Sequence, residues 1–269
     1  MNEREPRIFV TTDSHGCNKE LCEVLELSEF KRGVDTLIHI GDCTDRGPDS
    51  YGVIETLLSI PNLIAIQGNH DYHMKYFIET GYHPWEHKSC KTIESYINSL
   101  ELEAEGVYWT LKWKKHISTN FEPRHMPKTH RDFFLNQLPY YIDGQNRLFV
   151  HGGYDPMMKI EEQSPNFIIW DRDLVQHLGS FWEDNRPVSN YPDVNCFKRV
   201  FIGHTPTITF KKKTQDNKLD SNWLPSGALN TKPMYLGQLV NLDTGCVFGG
   251  KLSLIDITND EEHILYQNT

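Results

Sequence analysis

Residues 41–47 read Gly-Asp-Cys-Thr-Asp-Arg-Gly and follow the apolar run Thr36–Ile40. A short apolar run that stops at glycine and then carries two carboxylates and a guanidinium is the end of a buried strand opening into a polar loop. The same pattern recurs along the chain. Arg7–Val10 enters Thr11–Gly16, with Asp-Ser-His-Gly at 13–16. Leu63–Ile66 leads to Gly-Asn-His-Asp at 68–71, Arg147–Val150 to His-Gly-Gly at 151–153, and Arg199–Ile202 to Gly-His at 203–204. Between the first three runs, Leu21, Val24, Leu25 and Ser28, and then Val53, Ile54, Leu57 and Leu58, follow helical spacing. Strand–helix–strand–helix–strand order predicts βαβ units and a largely parallel sheet, an α/β architecture whose sites collect beyond the carboxyl ends of the strands.

Outward from these runs the pattern loosens. Ile93, Tyr96, Ile97 and Leu100 suit one helix and His130–Gln137 another, with a polar, Trp-containing stretch, Glu101–Pro127, between them. Lys211–Pro233 reads as a long surface loop. Tyr235–Ile257, with turn signals at Asp243–Gly245 and Gly249–Gly250, reads as antiparallel hairpin strands. No internal repeat or inter-domain linker is evident. The expectation is one domain over residues 1–269 with insertions around 79–139 and 207–233.

The 269-residue chain carries a net charge of −10, and its sequence pI is about 5.7. That acidity argues against a protein whose main role is to coat nucleic acid, but leaves room for an anionic substrate at a metal site. No apolar run approaches the ~20 residues of a membrane helix, and the start lacks a signal-peptide pattern, so the expectation is a cytoplasmic protein. Six cysteines at 17, 22, 43, 90, 196 and 246 form no zinc-ribbon pattern and read as free thiols.

The five strand-end motifs offer Asp13, His15, Asp42, Asn69, His151 and His204, all oxygen or nitrogen donors without sulfur. This set suits Mn, with Fe or Zn as alternatives, and is too rich in histidine for calcium. Six such groups exceed what one tetrahedral ion requires. They suit two divalent ions ~3.5–4 Å apart that share a carboxylate.

On these residues the chain resembles the calcineurin-like metallophosphoesterases, and more narrowly the bacterial serine/threonine protein phosphatases of the PPP type. GDCTDRGPDS at 41–50 is close to that family's GDxxDRGxxS signature, and the tail LVNLDTGCVFGGKLSLIDI at 239–257 is similar as well. The resemblance implies a sandwich of two mixed β-sheets flanked by helices. It implies that Asp13 and His15 bind one metal, that Asp42 bridges both, and that Asn69, His151 and His204 bind the other. It also implies that His70 lies near the leaving group with Asp45 bonded to it, and that Arg46 and Arg172 contact the substrate phosphate. The reaction expected is in-line attack by a metal-bridging hydroxide on a phosphate monoester, foremost phosphoserine or phosphothreonine in proteins, with His70 as general acid. The partner is then a phosphoprotein or a small phosphorylated molecule, with no nucleic-acid scaffold and no membrane.

One departure opens an alternative. The protein phosphatases usually carry Arg before Gly-Asn-His, where this chain has Gln67. GNHDYHM also resembles the symmetrical diadenosine tetraphosphatases, which lack that Arg, although Asp45 is a residue they generally replace. A nucleotide hydrolase is therefore the alternative reading, and a metal-free scaffold a more distant one. Among the remaining residues, His39 reads as a hydrogen-bonded core histidine and His73 as packing. Asp71 reads as support for the Gly-Asn-His turn, Cys17 and Cys43 as small packing residues, and Asp173 as a helix start. Trp109, Trp113, Lys112, Lys114 and Lys115 read as a solvated insertion face, and Lys211–Lys213 as a loop charge run.

Overall fold

The computed structural model describes residues 4–82, 90–111, 117–184, 197–211, 229–259 and 263–269. Two five-stranded sheets pack face to face. The first has the order β12-β11-β1-β2-β3 and the second β6-β7-β8-β10-β9. In the first, β1 (Ile8–Thr11), β2 (Thr36–His39) and β3 (Leu63–Ala65) are parallel, linked through α1 (Asn18–Leu27) and α2 (Ser50–Leu58). Antiparallel β11 (Ser253–Asp256) and β12 (Ile264–Gln267) complete it. In the second, β7 (Arg147–Val150), β8 (Arg199–Ile202) and β10 (Leu239–Asn241) are parallel, bounded by antiparallel β6 (Tyr140–Ile142) and β9 (Met234–Leu236). The sheets are mixed, as expected.

Alternation along each strand builds three apolar layers. Phe9, Leu37 and Leu254 face α1, α2, α4 (Cys90–Ser99) and α5 (Lys128–Leu135). Their neighbours Val10, Ile38 and Ile255 meet Phe149, Phe201 and Val240 of the other sheet. Val200 and Ile202 turn the opposite way and pack under α6 (Pro165–Trp170) and α7 (Asp173–Glu183). Because both faces of each sheet are covered, the central strands read as continuous apolar runs.

The tail departs from the hairpin expectation. β9 pairs with β10 and β11 with β12, but β10 and β11 do not pair with each other. At Asp243–Gly245 the chain leaves the second sheet and crosses to the first, where β11 pairs with β1. Gly245, at φ +74°, donates its N–H to Asp243 Oδ1 at 3.0 Å, an Asx turn that redirects the backbone. Trp109, read with Trp113 and the neighbouring lysines as a solvated face, also differs from that reading. Trp109 on β4 (Trp109–Leu111, paired with β5, Ile117–Thr119) is partly buried against the first core, and Phe121 lies inside that core. Lys112, Trp113, Lys114 and Lys115 lie outside the described residues, as do Lys212, Lys213 and Cys196. No helix of the described residues is long and apolar enough to cross a membrane.

One buried carboxylate ties the chain's entry to this frame. Asp35 accepts from Arg4 Nη1 at 2.7 Å, from the Lys31 N–H at 2.7 Å and from the Arg7 N–H at 2.9 Å. Burial would raise its pKa, but the Arg4 guanidinium and the two backbone donors outweigh it and hold the carboxyl below its ordinary value. A depressed folded-state pKa means that the contribution is full above the unfolded value near ~3.9 and is lost as pH falls through the folded value. Asp35→Ala is expected to cost about 1–3 kcal/mol in denaturant unfolding at pH 7, with the gap from the parent closing below about pH 4.

Candidate metal centre and active site

Parallel strands deliver their carboxyl ends to one edge, so five loops from both sheets converge there. Backbone bonds lace them together. Asp13 N–H donates to Gly41 O at 3.0 Å and Gly203 N–H to His151 O at 2.8 Å. Two side chains bridge the sheets. His204 N–H donates to Asp13 Oδ2 at 2.9 Å, and the His151 ring reaches Ile40 O through Nδ1 at 2.7 Å.

The approach is so close that side chains are excluded at some positions. Gly41 sits at φ +86°, and a Cβ there would lie 2.4 Å from Gly68 N. A Cβ on Gly68 would lie 2.2 Å from Asp42 Oδ1. Asp13, His15, Asp42, Asp45, Arg46 and His204 all adopt positive φ, a conformation that L side chains hold only when the surroundings enforce it. Gly-Asn-His-Asp enters α3 (Asn69–Thr80), which puts Asn69 and His70 in its first turn. Asp71 accepts from the N–H groups of Asp42 (2.8 Å), Cys43 (2.9 Å) and Gly68 (3.1 Å), and so locks two loops together.

The six metal-ligand candidates come together. Asp42 Oδ2 lies 3.4 Å from His15 Nε2 and 3.4 Å from His151 Nε2. Asp13 Oδ1 is 3.8 Å from His15 Nε2, and Asn69 Oδ1 is 3.2 Å from His151 Nε2. The ligand atoms of Asp42, His151 and His204 lie within 4.8 Å of one another, as do those of His15, Asp42 and His70. His15 and His151 commit Nδ1 to the carbonyls of Thr44 and Ile40, both at 2.7 Å, which turns Nε2 inward. That is how a protein fixes the tautomer of a ligating imidazole. His204 Nε2 is buried without a hydrogen-bond partner among the described residues. An orphaned imidazole nitrogen facing carboxylate oxygen and a second imidazole fits a divalent cation.

The electrostatics of His15 and His204 agree with this fit. Burial lowers His15 to about 3 and His204 to about 2, which leaves both rings neutral with a lone pair to give. Burial opposes the charged form of Asp42, but the surrounding histidines, His151 first, hold the carboxyl well below its ordinary value. Burial likewise opposes a charged His151, yet Asp42 and Asp13 push it up to about 9. The pocket holds buried negative charge and favours cations.

The four residues expected to act on substrate border the same centre. His70 Nδ1 is 2.7 Å from Asp45 Oδ2. Arg46 extends Nη1 to 2.6 Å from His15 Nε2 and Nη2 to 2.9 Å from His70 Nε2, with the Phe248 ring 5.1 Å from its guanidinium carbon. Arg172 Nη1 donates to His204 O at 2.8 Å and Thr205 Oγ1 at 3.0 Å. His39 is a core histidine bonded to Ser14 Oγ at 3.0 Å, and His73 packs against Trp170 with ring centroids 5.6 Å apart. Buried Gln67 anchors its N–H on Leu138 O at 2.8 Å.

Sequence reasoning missed three supports. Thr12 Oγ1 donates to Asp13 Oδ2 at 2.6 Å. Thr92, on α4, donates to Asp45 Oδ1 at 2.8 Å and accepts the Asp45 N–H at 2.9 Å. Asp243 was legible only as a turn residue. It is buried, and burial followed by the nearby Asp13 raises its pKa well above the ordinary carboxylate value. A threonine next to the first motif was a faint signal for Thr12. No signal marked Thr92, which lies 47 residues from its partner.

Comparison with known proteins places this geometry. The chain is 24% identical over 94% of its length, and 89% of the relative's, to a symmetrical bis(5'-nucleosyl)-tetraphosphatase of Coxiella burnetii. It is 23% identical, over 93% of the chain and 91% of the relative, to serine/threonine-protein phosphatase 1 of Salmonella typhimurium. A crystal structure of a candidate diadenosine tetraphosphatase superposes with a TM-score of 0.58 at 18% identity, covering 100% of this chain and 96% of that one. The model of the calcineurin-like phosphoesterase family matches residues 6–208. With that match over most of the chain, and with histidine and aspartate donors gathered at one sheet edge, the protein belongs to the calcineurin-like phosphoesterases and is a metal-dependent hydrolase.

Proposed function

We propose that the chain hydrolyses dinucleoside polyphosphates at a two-metal centre, splitting a tetraphosphate bridge with water into two nucleoside diphosphates. The observation that carries the two-metal reading is Asp42 Oδ2, equidistant at 3.4 Å from the inward nitrogens of His15 and His151. One carboxylate oxygen between two ligand sets is the arrangement of a bridging ligand. Asp13 and His15 would hold one ion, Asn69, His151 and His204 the other, and Asp42 both. When bound, the ions would offset the negative charge of the phosphates and supply a water acidic enough to attack near neutral pH.

The chain's own residues do the rest. Arg46, beside His15 and His70, and Arg172, bonded to His204 O, would take the phosphate oxygens as anionic acceptors. Asp45, itself fixed by Thr92, holds the Nδ1 proton of His70, so that Nε2 is the nitrogen that hands a proton to the departing oxygen. Although burial works against a charged His70, Asp42 and Asp45 shift its pKa upward.

For the substrate, the similarity to symmetrical tetraphosphatases over 94% of the chain favours the nucleotide. Gln67, where protein phosphatases place a phosphate-binding Arg, points the same way, because a neutral amide cannot replace a bidentate cation. The sequence put phosphoserine and phosphothreonine first, and the comparisons favour its alternative. A specific feature still supports the phosphoprotein reading. The Asp45–His70 pair is the acid that an alkoxide leaving group needs and a nucleoside diphosphate needs less.

A substrate panel with Mn²⁺ separates the two. Diadenosine tetraphosphate is expected to turn over well above phosphoserine, phosphothreonine and phosphotyrosine peptides, and the reverse order would replace the first reading with the second. His70→Asn is expected to keep its metal and lower kcat by roughly 10²–10⁴, with the greater loss on the phosphoserine peptide. Asp42→Asn is expected to lose bound metal, measured by elemental analysis, together with activity on every substrate.

A further inference from the structure

Next to the metal centre, on the His204 side, a cleft of about 400 Å³ is lined by Phe167, Trp170, Asp171, Arg172, Asp173 and Gln176. That volume lies in the range of small-molecule sites, ~300–1,000 Å³. A second cavity of about 360 Å³ adjoins it and shares Phe167, Asp171 and Asp173. The first cleft begins at the metal ligands. The Trp170 ring meets the His204 ring edge-on at 6.0 Å, and Arg172 donates to His204 O at 2.8 Å.

The walls sort by charge. Arg172, at the inner end, feels the carboxylates of Asp13, Asp243 and Asp42. The outer side carries Asp171 and Asp173, with Asp155 close by. A polyphosphate is attracted to the inner end and repelled from the outer, so what fills the outer cleft carries no phosphate and offers hydrogen-bond donors. Two large rings stand on the wall in water, Phe167 at 43% and Trp170 at 39% exposure. Such rings form a stacking surface for a flat heterocycle. Asp173 is an exposed carboxylate beside them, the group that proteins set against a ribose diol. Gln176 lies one helical step further on α7 and offers both a donor and an acceptor to a base edge. Asp171 lines the wall as well, but its Oδ2 is buried and faces Gly153, so Asp173 is the carboxylate open to a ligand.

We infer that this cleft is a nucleoside subsite, taking the base of a nucleotide against Phe167 and Trp170 and its ribose hydroxyls at Asp173, while the phosphates lie inward at Arg172. This inference rests on the nucleotide reading above and locates the recognition that distinguishes a dinucleoside polyphosphate from a simple monoester.

The experiment compares diadenosine tetraphosphate with p-nitrophenyl phosphate on the Mn²⁺-loaded full chain and on Phe167→Ala, Asp173→Asn and Gln176→Ala. Metal content is measured for each variant. Phe167→Ala is expected to raise KM for the dinucleotide about fivefold or more, with little change in kcat, and to cut selectivity for it over p-nitrophenyl phosphate by a similar factor. Asp173→Asn is expected to weaken inhibition by ADP more than inhibition by 2',3'-dideoxy-ADP, since only the former has the diol. If the parent turns over the dinucleotide while all three variants keep its KM and selectivity within twofold, the subsite is wrong and the nucleotide reading stands. Equal losses on both substrates, or loss of metal, also overturn it by showing a structural role. If the parent ignores the dinucleotide and prefers phosphopeptides, the nucleotide reading falls and the subsite with it.

Discussion

Buried carboxyl groups set the terms for the rest of this molecule. Asp13, Asp42, Asp71 and Asp243 lie at the junction of two sheets, each almost withdrawn from water. Carboxylates in that position persist only where donors or cations compensate them. Asp71 is compensated by three backbone N–H groups, and Asp13 by Thr12 and the His204 backbone. Asp42 gives one oxygen to the His70 N–H at 2.8 Å and turns the other toward two imidazoles. In this structure the Arg46 guanidinium supplies positive charge at His15 Nε2, one of those two imidazoles. Metal binding is thus the continuation of an electrostatic demand that the fold creates.

The demand explains where the backbone is strained. Most of the non-glycine residues at positive φ belong to the site, and the glycines beside them admit no Cβ. Strain of this kind costs of order 1–3 kcal/mol per residue and survives only where packing on all sides enforces it. Here the enforcement comes from three apolar layers beneath one sheet edge. Arg147, fully buried, adds a strut between the sheets by donating to Ile257 O at 2.6 Å.

Reaction and selectivity occupy different parts of the fold. The donors that create the charge pattern sit on loops fixed between two sheets, where a shift of one residue would break several bonds. The groups of the proposed subsite, Trp170 and the start of α7, lie beside this centre on the His204 side. Relatives that match this chain over more than nine-tenths of its length are described as a nucleotide hydrolase and as a protein phosphatase, so one fold is found with both descriptions.

The sequence alone determined the strand ends and the donor types. Glycine after an apolar run, followed by aspartate, asparagine or histidine, is a local pattern, and local patterns survive in one dimension. It also placed α1, α2 and α5 to within a few residues, because their apolar spacing is regular. It could not show that Asp243–Gly245 carries the chain from one sheet to the other. The Asx turn looks the same in a hairpin, and only the partner strand differs. Nor could it show that Thr92 holds Asp45, that Asp42 Oδ2 stands midway between two imidazoles, or that Trp170 and Asp173 open onto one cleft. Those facts are distances between residues remote in sequence, and only the packing of two sheets against each other sets them.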